Sequence, residues 1–199
     1  MTARMLEGRV AVVTGGGRGI GREISLLMAA HGARVVVNDL GGGADGSGGA
    51  ASPAHDVARE IQTAGGHAVP SGESVTTMAG GARIVETAVD HFGRIDIVVN
   101  NAGIVRDRMI FNMTEEEWDA VIAVHLKGSF ALTRAAARVT AKVPLRWVLM
   151  TPSHSSSVML KIIRSRRIPA LLTTMSTRPN VSTAVLMIDC PPAIEATES

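Results

Sequence analysis

Tyrosine is absent from the 199 residues, and two Trp and three Phe are the only other aromatics, 3% of the chain. The absence excludes any chemistry that needs a phenol to donate and reclaim a proton. Arginine, which stays protonated throughout, is no substitute. Cysteine occurs once, as Cys190, which rules out an internal disulfide and a multi-cysteine metal site and makes a reducing cytoplasm the expected setting. No run of 18 apolar residues occurs, and the opening Met1-Thr2-Ala3-Arg4-Met5 has no apolar stretch of signal-peptide length. A soluble, unexported chain without a membrane partner is therefore expected.

Glycine is missing from the last 71 residues: all 21 lie at or before Gly128, although ordinary usage near 7% predicts about five beyond it. Six of the eight prolines, by contrast, lie after Val143. The net charge of +2 hides a similar asymmetry, because residues 1–133 carry 11 Lys and Arg against 15 Asp and Glu, whereas residues 134–199 carry 9 against 3. That basic part has Trp147 as its one aromatic, so it offers no stacking platform and no nucleic-acid partner is expected. Length and a hydrophobic content of 46% bound the chain to one globular domain with a sizeable core. The composition divides it into residues 1–141, written in the style of a domain, and an atypical segment 142–199 that is not a domain of its own.

What is present begins with Val10-Ala11-Val12-Val13-Thr14-Gly15-Gly16-Gly17-Arg18-Gly19-Ile20-Gly21. An apolar β-branched run breaks into a glycine-dense turn and re-enters helical periodicity at Ile20, Ile24, Leu27 and Met28, which reads as strand, phosphate loop and helix. A dinucleotide pyrophosphate needs close approach to main-chain N–H groups and to the positive end of a helix. A Cβ at Gly15, Gly19 or Gly21 would obstruct the turn, the anion or the packing of helix on strand. A second strand is expected over residues 34–38, and Asp39 stands at its end, 18 residues past Gly21, close to the offset of an acid that accepts from the adenosine ribose. A carboxylate there repels a 2′-phosphate and favours NAD over NADP. Arg18 argues the other way, since a guanidinium beside the turn can pair with that phosphate. The balance falls to NAD, because like charges in a partly dry site cost more than a mobile surface arginine gains.

Along the rest of the chain, residues 41–52 read as a flexible Gly/Ser/Ala loop. Pro53 starts a helix ended by Gly65-Gly66, residues 67–69 form a short strand, and Met78, Ala82, Val85, Val89 and Phe92 mark a helix capped by Gly93. A fourth strand over residues 95–99 delivers Asn100-Asn101-Ala102-Gly103 to the carboxyl edge of the sheet, where open α/β sheets bind ligands. Small residues there let an adenosine lie against the backbone, and the Asn101 amide can tie neighbouring strands together. Thr114-Glu115-Glu116-Glu117 is a capping box before Trp118, Val121 and Ile122, and its acids satisfy a helix dipole instead of forming a metal site. An alanine-rich helix continues to about residue 141, and residues 145–151 suit a fifth strand.

The spacing Thr-Gly-x-x-x-Gly-Ile-Gly at residues 14–21, together with Asn100-Asn101-Ala102-Gly103, resembles the short-chain dehydrogenase/reductase family over about residues 6–140. The resemblance implies an α/β, Rossmann-type doubly wound parallel sheet, incomplete or irregular in its C-terminal part. It implies NAD or NADP as cofactor and hydride transfer between a carbonyl and a secondary alcohol, a small-molecule partner. It assigns the cofactor to Gly15, Gly17, Arg18, Gly19, Ile20, Gly21, Asp39, Leu40, Glu73, Ser74, Asn101, Ala102, Gly103 and Val124. Glu73 stands where the family puts an adenine-contacting Asp, and it also suits a solvated loop charge. The Asn-Asp-Leu-Gly-Gly strand end and the insertion after it are similar to the dehydrogenase part of peroxisomal multifunctional hydroxyacyl-CoA enzymes. The run Val124-His125-Leu126-Lys127-Gly128-Ser129-Phe130 resembles the family's Val-Asn-Leu-x-Gly-x-Phe, which places His125 at a catalytic asparagine that holds a proton-relay water. Histidine can donate and accept, although a lone helix histidine also suits a plain hydrogen-bonded or surface position. Ser153 falls where the family has its catalytic serine, in a Ser cluster beside Pro152 that also reads as a loop.

The family's general acid is the tyrosine of a Tyr-x-x-x-Lys motif, whose lysine, on the same helix face, stabilises the phenolate. The corresponding segment here, residues 158–167, holds Lys161 and arginines but no proton donor of that kind. From about residue 141 the chain reads as a replaced or out-of-frame continuation, which would also disturb the usual interface of a homo-oligomer. Two expectations therefore stand: an oxidoreductase acting on a carbonyl or secondary alcohol, such as a 3-hydroxyacyl compound, with impaired turnover; or a non-catalytic nucleotide-binding protein or fragment.

Overall fold

The computed structural model describes residues 4–42, 53–140, 147–150 and 186–188. Within them, strands β1 (Val10–Thr14), β2 (Arg34–Asn38), β3 (His67–Ser71), β4 (Ile97–Asn100), β5 (Trp147–Met150) and β6 (Leu186–Ile188) form one sheet in the order β3-β2-β1-β4-β5-β6. Pairing is parallel from β3 through β5, with Val12 opposite Val36 on one side and Val98 on the other. The chain crosses over at β1, from β2 and β3 on one flank to β4 on the other, which is the doubly wound arrangement expected. The last strand departs from it: β6 runs antiparallel to β5.

All five residues of β1 are buried because both faces of the sheet are covered. Side chains alternate between faces along a strand. Ala11, Val13, Val35 and Val37 accordingly pack on one side against Ile24 and Met28 of α1 (Gly19–Ala30) and Val57, Ala58 and Ile61 of α2 (Pro53–Thr63). Val10, Val12, Val36 and Val98 pack on the other against Ile84, Val85 and Ala88 of α3 (Met78–Phe92) and Leu132 and Ala136 of α5 (Gly128–Val139). The glycine stops work as expected. Gly32, at φ +92, closes α1 with bonds from its own N–H to Ala29 O and from Ala33 N–H to Met28 O, and Gly93, at φ +76, closes α3.

Three elements differ from the sequence expectation. Helix α4 (Glu115–Ile122) carries its capping box, yet none of its residues is buried and Trp118 is 52% exposed. It continues into α5 through a π-helical turn, Ala123–Lys127, that hydrophobic spacing gave no sign of. Strand β4 begins at Ile97 instead of residue 95, because Asp96 has a different task. The Asp96 carboxylate is buried at the amino edge of the sheet, where it accepts from Val10 N–H at 3.0 Å, Arg94 at 2.6 Å and Arg9 at 3.3 Å. Ser153, residues 158–167 and most of the 41–52 loop lie outside the described residues.

Asp96→Ala should lower stability by about 2–3 kcal/mol in a denaturant titration, since charge-assisted bonds to a buried carboxylate are lost while both arginines still reach water. Asp96→Asn, which keeps an acceptor for Val10, should cost less.

Candidate functional site

The carboxyl ends of β3, β2, β1 and β4 are laced into one rim. Thr14 at the end of β1 donates its hydroxyl to Val99 O at 3.2 Å and accepts from the N–H groups of Asn101 and Ala102, each at 3.1 Å. Asn101 returns its side-chain amide to Thr14 O at 3.0 Å and Gly15 O at 3.1 Å. On the other flank Gly16 N–H bonds Asn38 O at 2.9 Å, and the Asn38 amide donates to Glu73 O at 2.9 Å and Ser71 O at 3.2 Å.

The glycine loop lies over this rim, and its glycines serve separate purposes. Gly15 turns the chain at φ +63, and a Cβ there would lie 3.0 Å from the Ala102 Cα. At Gly17 a Cβ would lie 2.6 Å from Pro53 Cβ and 2.8 Å from an Asp39 oxygen. At Gly21 it would collide with the Gly15 carbonyl. Gly19 is different: it sits at φ +49, and among the described residues nothing lies within 4 Å of an added Cβ. Helix α1 begins there without a side-chain cap and without an acid in its first turn. The contrast with α4 is informative. There Thr114 caps the Glu117 N–H at 3.3 Å, Glu117 bonds back to Thr114 N–H at 3.2 Å, and three acids fill the first turn. The Thr114 N–H, helped by Arg108, holds the Glu117 carboxyl below its ordinary value. Helix α4 thus answers its own dipole, whereas α1 presents its positive end outward to an anion from elsewhere.

Asp39 stands beside that end. One carboxylate oxygen accepts from Gly17 N–H at 3.0 Å and the other from Gly41 N–H at 2.9 Å, which joins the glycine loop to the end of β2. Among the described residues each oxygen has this one partner and so keeps a further lone pair. Arg18 donates from its guanidinium to the carbonyls of Gly42 at 3.1 Å and Gly41 at 3.5 Å, just beyond the end of β2. Ile20 and Leu40 remain exposed at this edge, at 42% and 63%. Ala102 and Val124 pack half-buried against the core on the α3 side, and Gly103 follows at the surface. The Glu73 carboxylate pairs with Arg83 at 2.7 Å and Ser74 bonds the Thr76 hydroxyl at 2.9 Å, so both side chains have partners within the chain. His125, on the π-turn, sets its Nε2 3.0 Å from Ile104 N and 2.9 Å from Ile104 O. Thr14 and Asn38 organise the rim; each opens a motif quoted from the sequence, but neither was expected as a site residue. Their one local signal is a polar residue at the buried end of a valine run.

These residues fit a dinucleotide: a cap-free helix end, a glycine backbone open to close approach, and a carboxylate beside it. Comparison with known proteins shows the family. A family model described as short chain dehydrogenase matches residues 9–143. The peroxisomal multifunctional enzyme type 2 of Drosophila melanogaster is 51% identical over 149 residues, 75% of this chain and 24% of the relative. The hydroxyacyl-CoA dehydrogenase ChsB1 of Mycobacterium tuberculosis is 50% identical over 136 residues, 66% of this chain and 40% of the relative. A crystal structure of a short chain dehydrogenase from Mycobacterium avium superposes with a TM-score of 0.64 at 56% identity, covering 69% of this chain and 48% of that one. The chain thus spans less than half the length of each of these proteins.

The loop geometry predicts an order of sensitivity. Gly19→Ala should cost ~1–2 kcal/mol from backbone conformation alone. Gly21→Ala, set against a carbonyl that cannot move aside, should cost at least the ~1–3 kcal/mol of an overpacked site. Thermal unfolding of both variants checks this, and a Gly21→Ala protein as stable as the native one would contradict the packing described.

Proposed function

The chain belongs to the short-chain dehydrogenase family, and on that premise we propose that it binds NAD, in preference to NADP, as an oxidoreductase for secondary alcohols and ketones of the 3-hydroxyacyl class. The family binds NAD(P), and the observation that carries the proposal for this chain is the cap-free start of α1 with the Asp39 carboxylate fixed to Gly17 beside it. Gly15, Gly17, Gly19, Ile20 and Gly21 would hold the pyrophosphate and Asp39 and Leu40 the adenosine ribose, the adenosine would lie against the backbone of Asn101, Ala102 and Gly103, and Val124 would complete the cofactor contacts. Ser74 would sit on the adenine side, where Glu73 contributes its main chain while its carboxylate stays with Arg83. Arg18, whose guanidinium is engaged with two carbonyls, is poorly disposed to neutralise a 2′-phosphate, which supports NAD.

When bound, a nicotinamide supplies or accepts the hydride. The chain has to place the substrate oxygen and move its proton. The family assigns that proton to a tyrosine, which this sequence lacks, and His125 Nε2 is occupied with the Ile104 backbone. Ser153 is the remaining candidate donor. The substrate class rests on the names of the relatives, and the partner proposed is a small carbonyl or alcohol. A reducing compartment suits the lone Cys190. We place the protein in the cytoplasm on that ground, while the Drosophila relative is named peroxisomal. Among the described residues, no helix is long and apolar enough to cross a membrane.

In calorimetric titration NAD should bind more tightly than NADP, and Asp39→Ala should narrow the difference. Tighter binding of NADP to the native chain would overturn the role given to Asp39. Turnover of a 3-hydroxyacyl substrate should be at least ~10²-fold below that of a relative with the tyrosine, the ordinary worth of one acid–base group. Replacing residues 141–199 by a family-like half with Ser, Tyr and Lys should restore it. An unmodified chain turning over at an ordinary ~1–10³ per second would show that another residue donates the proton. NAD binding with no turnover at all would favour the non-catalytic alternative.

A further inference from the structure

Asn38 is 2% exposed at the end of β2, and its side chain reaches beyond its own strand pair. The parallel ladder of β2 and β3 stops at Asn38 and Ser71, with one last main-chain bond from Asp39 N–H to Ser71 O at 3.0 Å. Past that bond the Asn38 amide takes over. Its nitrogen donates to Glu73 O at 2.9 Å and, with its other hydrogen, to Ser71 O at 3.2 Å and Ser71 Oγ at 3.3 Å. The two carbonyls can only accept, so the amide nitrogen and not the oxygen must face them. We propose that Asn38 is a positioning residue for the nucleotide: through the Glu73 carbonyl it holds residues 72–74 beside Asp39 as the wall against which the adenine base lies. This rests on the reading of the rim as a dinucleotide seat.

Residues 73–74 have a second hold, on α3. The Glu73 carboxylate meets Arg83 at 2.7 Å, and Ser74 O lies so near Gly80 that an added Cβ there would collide with it. The two side-chain holds on Glu73 are unequal. Its pair with Arg83 leaves the side chains 36% and 56% exposed, and ion pairs open to water contribute little. The Asn38 amide is buried, so water cannot readily replace it as the donor to Glu73 O. Position 38 also spans the adenosine side of the rim. Its own carbonyl accepts from Gly16 N–H at 2.9 Å, and the next residue is Asp39, whose carboxylate bonds Gly17 and Gly41. One residue thus sets the spacing between the glycine loop, the ribose carboxylate and the segment 72–74. A wall already fixed spares the ligand the entropy of ordering it. Aspartate has the same shape, but when ionised it has no hydrogen to donate and would set its own oxygens against those of Glu73 and Ser71.

The test compares native, Asn38→Asp, Asn38→Ala and Arg83→Ala full-length proteins by backbone nitrogen-15 relaxation and by calorimetric titration with NAD and with adenosine monophosphate. Native order parameters at Glu73 and Ser74 should lie near the ~0.85 of rigid backbone and fall toward ~0.6 in both Asn38 variants. Val12 in the sheet core and Gly16 in the loop should stay rigid. NAD and adenosine monophosphate should weaken together by up to ~10-fold, the worth of one hydrogen bond, whereas Arg83→Ala should change either reading little. Aspartate fills the same space, so native behaviour of Asn38→Asp would reduce the residue to packing and overturn the proposal. Unchanged order parameters, a loss for NAD that adenosine monophosphate does not share, or an Arg83→Ala protein as loosened as the Asn38 variants would each overturn it too. If Asn38→Asp does not fold, Asn38→Ala, which puts no charge in the core, carries the same readings. Native protein that binds no NAD would overturn the proposed function and, with it, the role toward the base, while the order parameters would still report whether Asn38 holds the segment.

Discussion

Helix α1 starts so close to the turn after β1 that a methyl group at position 21 would collide with the Gly15 carbonyl. That approach fixes the direction of the helix, and the direction places its first N–H groups and positive end over the carboxyl rim of the sheet. Everything on the rim is arranged around it. Thr14 and Asn101 tie the turn to β4, Gly16 ties it to β2, and Asp39 ties Gly17 to the strand end beyond. Four strand ends and one helix start form a single hydrogen-bonded unit, at whose edge Ile20 and Leu40 are exposed.

Asp39 does two things in that unit. Its bonds to Gly17 and Gly41 hold the loop in shape, and in the proposed function the same carboxylate would accept from the hydroxyls of the ribose. A residue with both tasks is hard to substitute cleanly, because changing the charge also loosens the loop.

Much of the fold was legible because its determinants are local. Three valines in a row at 35–37, the Thr114 capping box, Pro53 at a helix start and glycine just past the ends of α1 and α3 each act within a turn or a strand. What was not legible depends on distant partners. The π-turn at Ala123–Lys127 is set by the need to satisfy Ile104 and to pack Gly128 on Val75 at once. Asp96 read as a strand residue because nothing in its neighbourhood announces that Arg9, 87 positions away, shares it. The face of α4 carrying Trp118 has a helical apolar pattern, but pattern alone does not supply a surface to bury it against. The glycine loop, Asp39 and Asn101 were legible as a site, while Thr14 and Asn38 were not, since their work is done through other residues' backbones.

The two rims of the sheet carry different kinds of polar cluster. At the amino rim the buried Asp96 gathers Arg9, Arg94 and Val10; at the carboxyl rim Asp39 gathers the loop. They are separated by the length of β1, about 13 Å at ~3.3 Å per residue. Residues that far apart without shared partners combine their effects almost additively. Mutational drift at the Asp96 cluster can therefore raise or lower the melting temperature while leaving the carboxyl rim alone, and a loop loosened by a change at Asp39 can be compensated there. The architecture thus holds a reserve of stability at one rim, which an evolving or engineered descendant can draw on when the other rim changes.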